Sequence, residues 1–142
     1  MCRIIMKFNE PLSIKEMEAH REQCENGAGI LMAKGGSFYA VKDMEHEKMW
    51  KKYKKEFIAD SPFYLFHSRM PSSGKVSMRN TQPFYDSIIG FCHNGTVNKK
   101  DLMMPLALFG EYMDGSESDS YLLFRLLKRC NMITVKTMLD KY

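Results

Sequence analysis

Ile88-Ile89-Gly90-Phe91-Cys92-His93-Asn94-Gly95-Thr96 runs an apolar, β-prone stretch straight into an Asn-Gly pair. β-Branched and aromatic residues suit a pleated surface, and Asn-Gly tolerates the positive φ angles of a tight turn, so a buried strand over 88–93 ending in a turn is predicted. Upstream, Phe63–Ser68 reads as another strand following Ser61-Pro62. Residues 70–83 between them carry Pro71, Gly74, Asn80 and Pro83, which predicts a long irregular loop. Long loops in compact domains are usually functional.

Further out, Arg3–Phe8 predicts a first strand, and Ser13-Ile14-Lys15-Glu16 spells a capping box that opens a helix to about Cys24. Ile30–Ala33 and Phe38–Lys42 flank Lys34-Gly35-Gly36-Ser37, a hairpin signal. Asp43 is the expected N-cap of a second helix whose apolar positions are Met49, Trp50, Tyr53 and Phe57. Beyond the opening stretch, Asp101–Tyr112 predicts a helix broken near Pro105, Asp119–Cys130 another helix, and Asn131–Tyr142 a helical tail. Strand, helix, hairpin, helix, strand, strand, helices is an α+β order with largely antiparallel pairing, read as a single domain over residues 1–142.

The 142 residues are 44% hydrophobic and 12% aromatic, which excludes a disordered chain. Uninterrupted apolar stretches such as Leu106–Phe109 fall far short of the roughly 20 residues that span a bilayer, and the N-terminal residues do not read as a secretory signal. No membrane partner is expected. A net charge of +4 is mild, and Lys51, Lys52, Lys54 and Lys55 suit the solvated face of a helix, so no nucleic-acid partner is expected either. Cys2, Cys24, Cys92 and Cys130 form no C-x-x-C pair and no zinc spacing. They read as reduced thiols of a cytoplasmic protein with no metal and no cofactor.

Four elements carry the candidate chemistry. Cys2 follows the initiator Met, and removal of that Met would leave Cys2 with the chain's free α-amine, a base titrating near about 7.7–8. Nucleophile and base would then share one residue. Asn94 and Gly95 at a strand end offer neutral donors for an oxyanion, although the same pair is also a common hairpin turn. Arg69 leaves the strand 63–68 and presents a planar fork for a carboxylate. Asp119 at a helix start either steadies the helix dipole or receives a substrate ammonium.

In this order, Cys2, then His67-Ser68-Arg69-Met70 leading to Gly74 and Asn80-Thr81-Gln82-Pro83-Phe84, then His93-Asn94-Gly95 and Ser118-Asp119-Ser120, the chain resembles the class II glutamine amidotransferases over nearly its whole length. The resemblance implies the Ntn-hydrolase fold, an αββα four-layer sandwich with two mostly antiparallel sheets, and hydrolysis of L-glutamine to glutamate and ammonia through a thioester on Cys2. It implies Cys2 as nucleophile, Asn94 and Gly95 as oxyanion hole, Arg69 on the α-carboxylate and Asp119 on the α-ammonium of glutamine. Cys24, Cys92 and Cys130 are expected to be core or surface thiols.

Two motifs depart from the family's pattern. Pro71-Ser72-Ser73 stands where the family often has a Thr-His pair on the substrate carboxylate, so Ser72 would replace a hydroxyl and Ser73 an imidazole. Gln82 stands where a His commonly precedes the Pro. The family's helix holding the ammonium-binding Asp is followed by further strands, whereas here 23 residues remain after Asp119. A trimmed second sheet, pairing with another chain, or a catalytically compromised pseudoenzyme acting as a binding or regulatory module are the expectations. Ammonia would pass to a separate synthase partner chain or to solvent, a homo-oligomer is an open expectation, and an Ntn amidohydrolase for another γ-glutamyl or small amide is the other enzyme reading.

Overall fold

The computed structural model describes residues 2–20, 26–130 and 135. The helix expected to reach about Cys24 instead ends at Glu18, with Ala19 as its C-cap and residues 19–20 in a turn. The Cys24 thiol and the helical tail fall outside the described residues, Val135 excepted. Among the described residues six strands and four α-helices form in the order β1 (Arg3–Phe8), α1 (Ile14–Glu18), β2 (Ala28–Lys34), β3 (Ser37–Asp43), α2 (His46–Glu56), β4 (Phe63–Ser68), β5 (Phe84–Tyr85), β6 (Gly90–Phe91), α3 (Lys99–Leu108) and α4 (Asp119–Leu127).

Strands β1–β4 make one antiparallel sheet in the order β1-β4-β2-β3, and β5 and β6 make a second. The predicted hairpin closes with Lys34 opposite Ser37, and Gly35 and Gly36 both take positive φ in the two-residue turn. That turn geometry matches the twist of the flanking strands. The capping box also forms: Ser13 accepts from the Glu16 amide while the Glu16 carboxylate accepts from the Ser13 amide at 2.8 Å. These bonds, with the Lys7 ion pair, pull the Glu16 carboxyl down to about 2.

One face of the large sheet, with Ala28, Ile30, Met32, Val41, Tyr64 and Phe66, packs on Leu12 and Met17 at α1 and on Met49 and Tyr53 of α2. Tyr53 is buried enough that its phenol is pushed up to about 12. The small sheet lies on the opposite face, where Gly90 of β6 sits against Leu31 and Phe38. Beyond it, Phe84 and Phe91 stack on Phe124 of α4, and α3 and α4 bury Leu102, Leu106, Leu122 and Leu126 against each other. Helices, sheet, sheet, helices is the expected αββα order, and the second sheet has two strands among the described residues.

Three further local expectations are corrected. Asp43 ends β3 instead of capping α2; its carboxylate accepts from the Glu45 amide at 3.1 Å and pairs with Lys52 at 2.7 Å, and Glu45 precedes the helix without a side-chain cap. The strand expected over 88–93 shrinks to Gly90–Phe91 because the Asp86 carboxylate takes the Ile88 and Ile89 amides at 2.8 and 2.9 Å, turning the chain there. Ile88 is therefore exposed. Pro105 lies inside α3 without ending it. A proline removes a single N–H from the ladder, and the burial of Leu102 and Leu106 holds the turn on either side.

Candidate active site

The antiparallel pairing of Arg3 with Ser68 sets the residues just outside each strand beside one another. Cys2 consequently meets the start of the loop after β4: its Sγ donates to the Met70 carbonyl and accepts from the Met70 amide, both at 3.3 Å. The backbone of Arg69 is held on its other side, donating to Gly27 O at 2.8 Å and accepting from Asn26 N at 3.3 Å. A strand end fixed on both sides gives Arg69 a defined direction.

The Arg69 side chain is buried, and its guanidinium donates to Ser73 O at 3.1 Å and Lys75 O at 3.3 Å. Burial lowers its pKa, while the charges of Cys2 and Asp119 act in the opposite direction; an arginine remains a cation under these conditions. Asp119 is also buried, in the first turn of α4 behind the N-cap Ser118, and its Oδ2 accepts from the Val97 amide at 2.8 Å. Cys2, Arg69, Ser72, Ser73, Gly95 and Asp119 line a single narrow cleft of about 20 Å³. Asn94 joins Cys2, Met70, Pro71, Ser72, Gly95 and Thr96 around an adjoining cavity of about 470 Å³. The site residues expected from the sequence are thus all gathered around Cys2.

Asn80 locks the parts together. Its side-chain amide donates to Lys75 O and Ser116 O at 2.9 Å each, and its Oδ1 accepts from the Ser118 amide at 2.8 Å, so one buried side chain joins the loop under Arg69 to the start of α4. Gln82 is buried as well, and both ends of its amide engage the His93 backbone. The His93 ring reaches Ser120 Oγ at 3.0 Å. Sequence reasoning misses the contacts of Ser120 and of the Val97 amide, since nothing in residue type announces a contact across 27 or 22 positions.

Beneath the site lies His67, fully buried, and among the described residues neither ring nitrogen makes a well-formed hydrogen bond. Burial lowers its pKa to about 4; the nearby His93 backbone opposes this and the Arg69 and His93 charges add to it. The imidazole is neutral at pH 7. Cys92 is half-buried, and its thiol is pushed up, chiefly by desolvation, despite the partly compensating charge of Lys42. A thiol held that firmly protonated is a poor nucleophile. Cys2, Cys92 and Cys130 are free thiols. Among the described residues no group of three His, Cys, Asp or Glu could hold a metal ion, and no helix is long and apolar enough to cross a membrane.

Aligned with the amidophosphoribosyltransferase of Staphylococcus epidermidis, the chain is 32% identical over 159 positions, covering 99% of this chain and 30% of that protein. The chain is homologous to a segment of amidophosphoribosyltransferases. The enzyme of Staphylococcus aureus is 31% identical over 122 positions, 82% of this chain and 22% of its relative. Among solved structures, the glutamine phosphoribosylpyrophosphate amidotransferase of B. subtilis, determined with ADP and GMP, superposes with a TM-score of 0.63 at 22% identity, over 88% of this chain and 28% of the other. That likeness shows the Ntn-hydrolase-like fold expected from the sequence. The chain spans less than a third of the length of these relatives. No protein-family model matches it.

Proposed function

We propose that this chain is a class II glutamine amidotransferase domain that hydrolyses the side-chain amide of L-glutamine and releases ammonia. The observation that carries the reading is the single cleft in which the Cys2 thiol, the buried Arg69 cation and the buried Asp119 carboxylate converge. Opposite charges in one cleft suit the zwitterionic end of a free amino acid, and leaving either unpaired in a dry cleft is costly. Ser72 and Ser73 line the same cleft and would complete the carboxylate's surroundings.

In the proposed reaction the α-amine of Cys2, freed by loss of Met1, takes the thiol proton. The thiolate then adds to the amide carbon of the substrate side chain. The oxyanion is held by the Asn94 side-chain N–H and the Gly95 amide. The ammonium at Cys2 returns its proton to the departing nitrogen, the C–N bond breaks, and ammonia leaves a thioester on Sγ. Water, deprotonated by the same amine, opens the thioester to glutamate and restores the thiol. Ammonia would pass to a synthase partner or to solvent.

The test is ammonia release from L-glutamine by the purified protein, with intact mass to show Met1 removed. A glutamine analogue bearing a thiol-reactive group should label Cys2, and Cys2→Ala should abolish turnover. Equal activity in wild type and Cys2→Ala sinks the proposal. The larger cavity has no charged residue in its lining, which favours a second reading, hydrolysis of another γ-glutamyl or small amide. Under that reading an N-blocked glutamine is turned over as well as the free amino acid.

A further inference from the structure

From the geometry around His93 we infer that Gln82 is a positioning residue: its side-chain amide clamps the backbone from which Asn94 and Gly95 present their donors to the oxyanion. The inference rests on the glutaminase reading above. Gln82 Nε2 donates to His93 O at 3.0 Å and Gln82 Oε1 accepts from His93 N at 2.6 Å. One planar amide thus satisfies both main-chain groups of one residue, as a neighbouring strand would. The substitution matters because β6 ends at Phe91 and residues 92–98 belong to no strand or helix, so no ladder holds this turn.

The clamp itself is rooted in the large sheet. A Cβ at Gly29 of β2 would lie 2.5 Å from Gln82 O and 2.9 Å from Pro83 Cδ, so the glycine lets the Gln82 main chain rest directly on the strand. The His93 ring is steadied separately, by Ser120 and by stacking on Phe91. A neutral amide is the side chain that offers one donor and one acceptor in a single plane. A carboxylate of the same length would accept from His93 N but set a second acceptor against His93 O. A thioether would do neither. Gln82 lines the cleft itself, but both ends of its amide are taken by the His93 backbone rather than left to the substrate. Since an ångström of misplacement in a catalytic donor costs on the order of a hundredfold in rate, loosening the clamp falls on turnover more than on binding.

The experiment compares wild type with Gln82→Met and Gln82→Glu in the full chain. Three readouts are glutamine kcat and KM, inhibition by an aldehyde analogue of glutamine whose adduct with the thiol places its oxygen at the oxyanion position, and amide hydrogen exchange. Expected are a ten- to hundredfold fall in kcat with KM changed less than threefold, a parallel loss of aldehyde affinity, and at least tenfold faster exchange confined to residues 93–95. Gln82→Glu should recover relative to wild type as pH falls, because a protonated carboxyl regains a donor; Gln82→Met should not. Unchanged exchange overturns the clamp, and faster exchange with unchanged kcat overturns its role in turnover. A wild type that releases no ammonia defeats the glutaminase reading, and the exchange data then decide the clamp by themselves. Should Gln82→Met fail to fold, Gln82→Glu decides between the same outcomes.

Discussion

Asp119 Oδ2 accepts a hydrogen bond from the Val97 amide at 2.8 Å, joining the first turn of α4 to the chain just beyond Gly95. A carboxylate has acceptor capacity on both oxygens, so the residue proposed to receive the substrate ammonium also anchors the turn proposed to hold the oxyanion. Recognition and chemistry then share one rigid support.

Separating the two duties of Asp119 needs two substitutions. Asp119→Asn keeps an acceptor for Val97 but loses the charge, and should raise the glutamine KM tenfold or more, about 1.4 kcal/mol, with a smaller change in kcat. Asp119→Ala loses both and should also lower kcat. Steady-state kinetics giving the same kcat for both variants would show the Val97 bond to be idle.

Asn80 satisfies the carbonyls of Lys75 and Ser116 and the amide of Ser118 from a buried position. Asn80→Ala takes the acceptor from the Ser118 amide, at about 1–3 kcal/mol where water cannot reach it, while Lys75 O keeps Arg69 and Ser116 O keeps the Lys75 amide. Denaturant unfolding should therefore show a loss of roughly 1–3 kcal/mol. Because Arg69 shares the Lys75 carbonyl, KM for glutamine should rise too. A variant as stable as wild type would mean that water takes over these bonds.

The pH dependence of stability tests His67. Its folded pKa of about 4 lies below the ordinary 6.5, so between those values the unfolded chain binds the proton more readily. Stability is complete above pH 6.5 and is lost as pH falls toward 4, by about 3 kcal/mol. The Glu16 carboxyl, held at about 2, contributes its loss only below its ordinary 4.5. Unfolding free energies between pH 7 and 4.5 should fall in wild type and stay nearly flat in His67→Gln; parallel curves would refute the assignment.

Thiol reactivity discriminates Cys2 from Cys92. Burial keeps the Cys92 thiol protonated, whereas Cys2 lines both cavities. Brief alkylation under native conditions, mapped by peptide mass, should modify Cys2 and spare Cys92. Cys92→Ala should retain most of the activity. Preferential modification of Cys92 would place the reactive thiol elsewhere.

Much of the fold is legible along the chain. Ser13 and Glu16 carry their capping box within four positions, and the Gly35-Gly36 turn needs only its own φ angles. The corrected elements share a cause. Asp43 has the residue type of a helix cap and Asp86 sits inconspicuously before an apolar run, but which amides a carboxylate takes depends on how the following residues turn. Gln82 stands out in the sequence only as a departure from a pattern, since its partner lies 11 residues away.

By itself the sequence determined the α+β order, the capping box and the set of residues proposed for the chemistry, all of which rest on side-chain type and short spacing. Only the tertiary structure decided that Asp119 also serves Val97, that Asn80 bridges loop and helix, and that Gln82 holds His93. Each of those links closes a distance of many residues, and closure depends on the packing of whole sheets and helices rather than on any property written at one position.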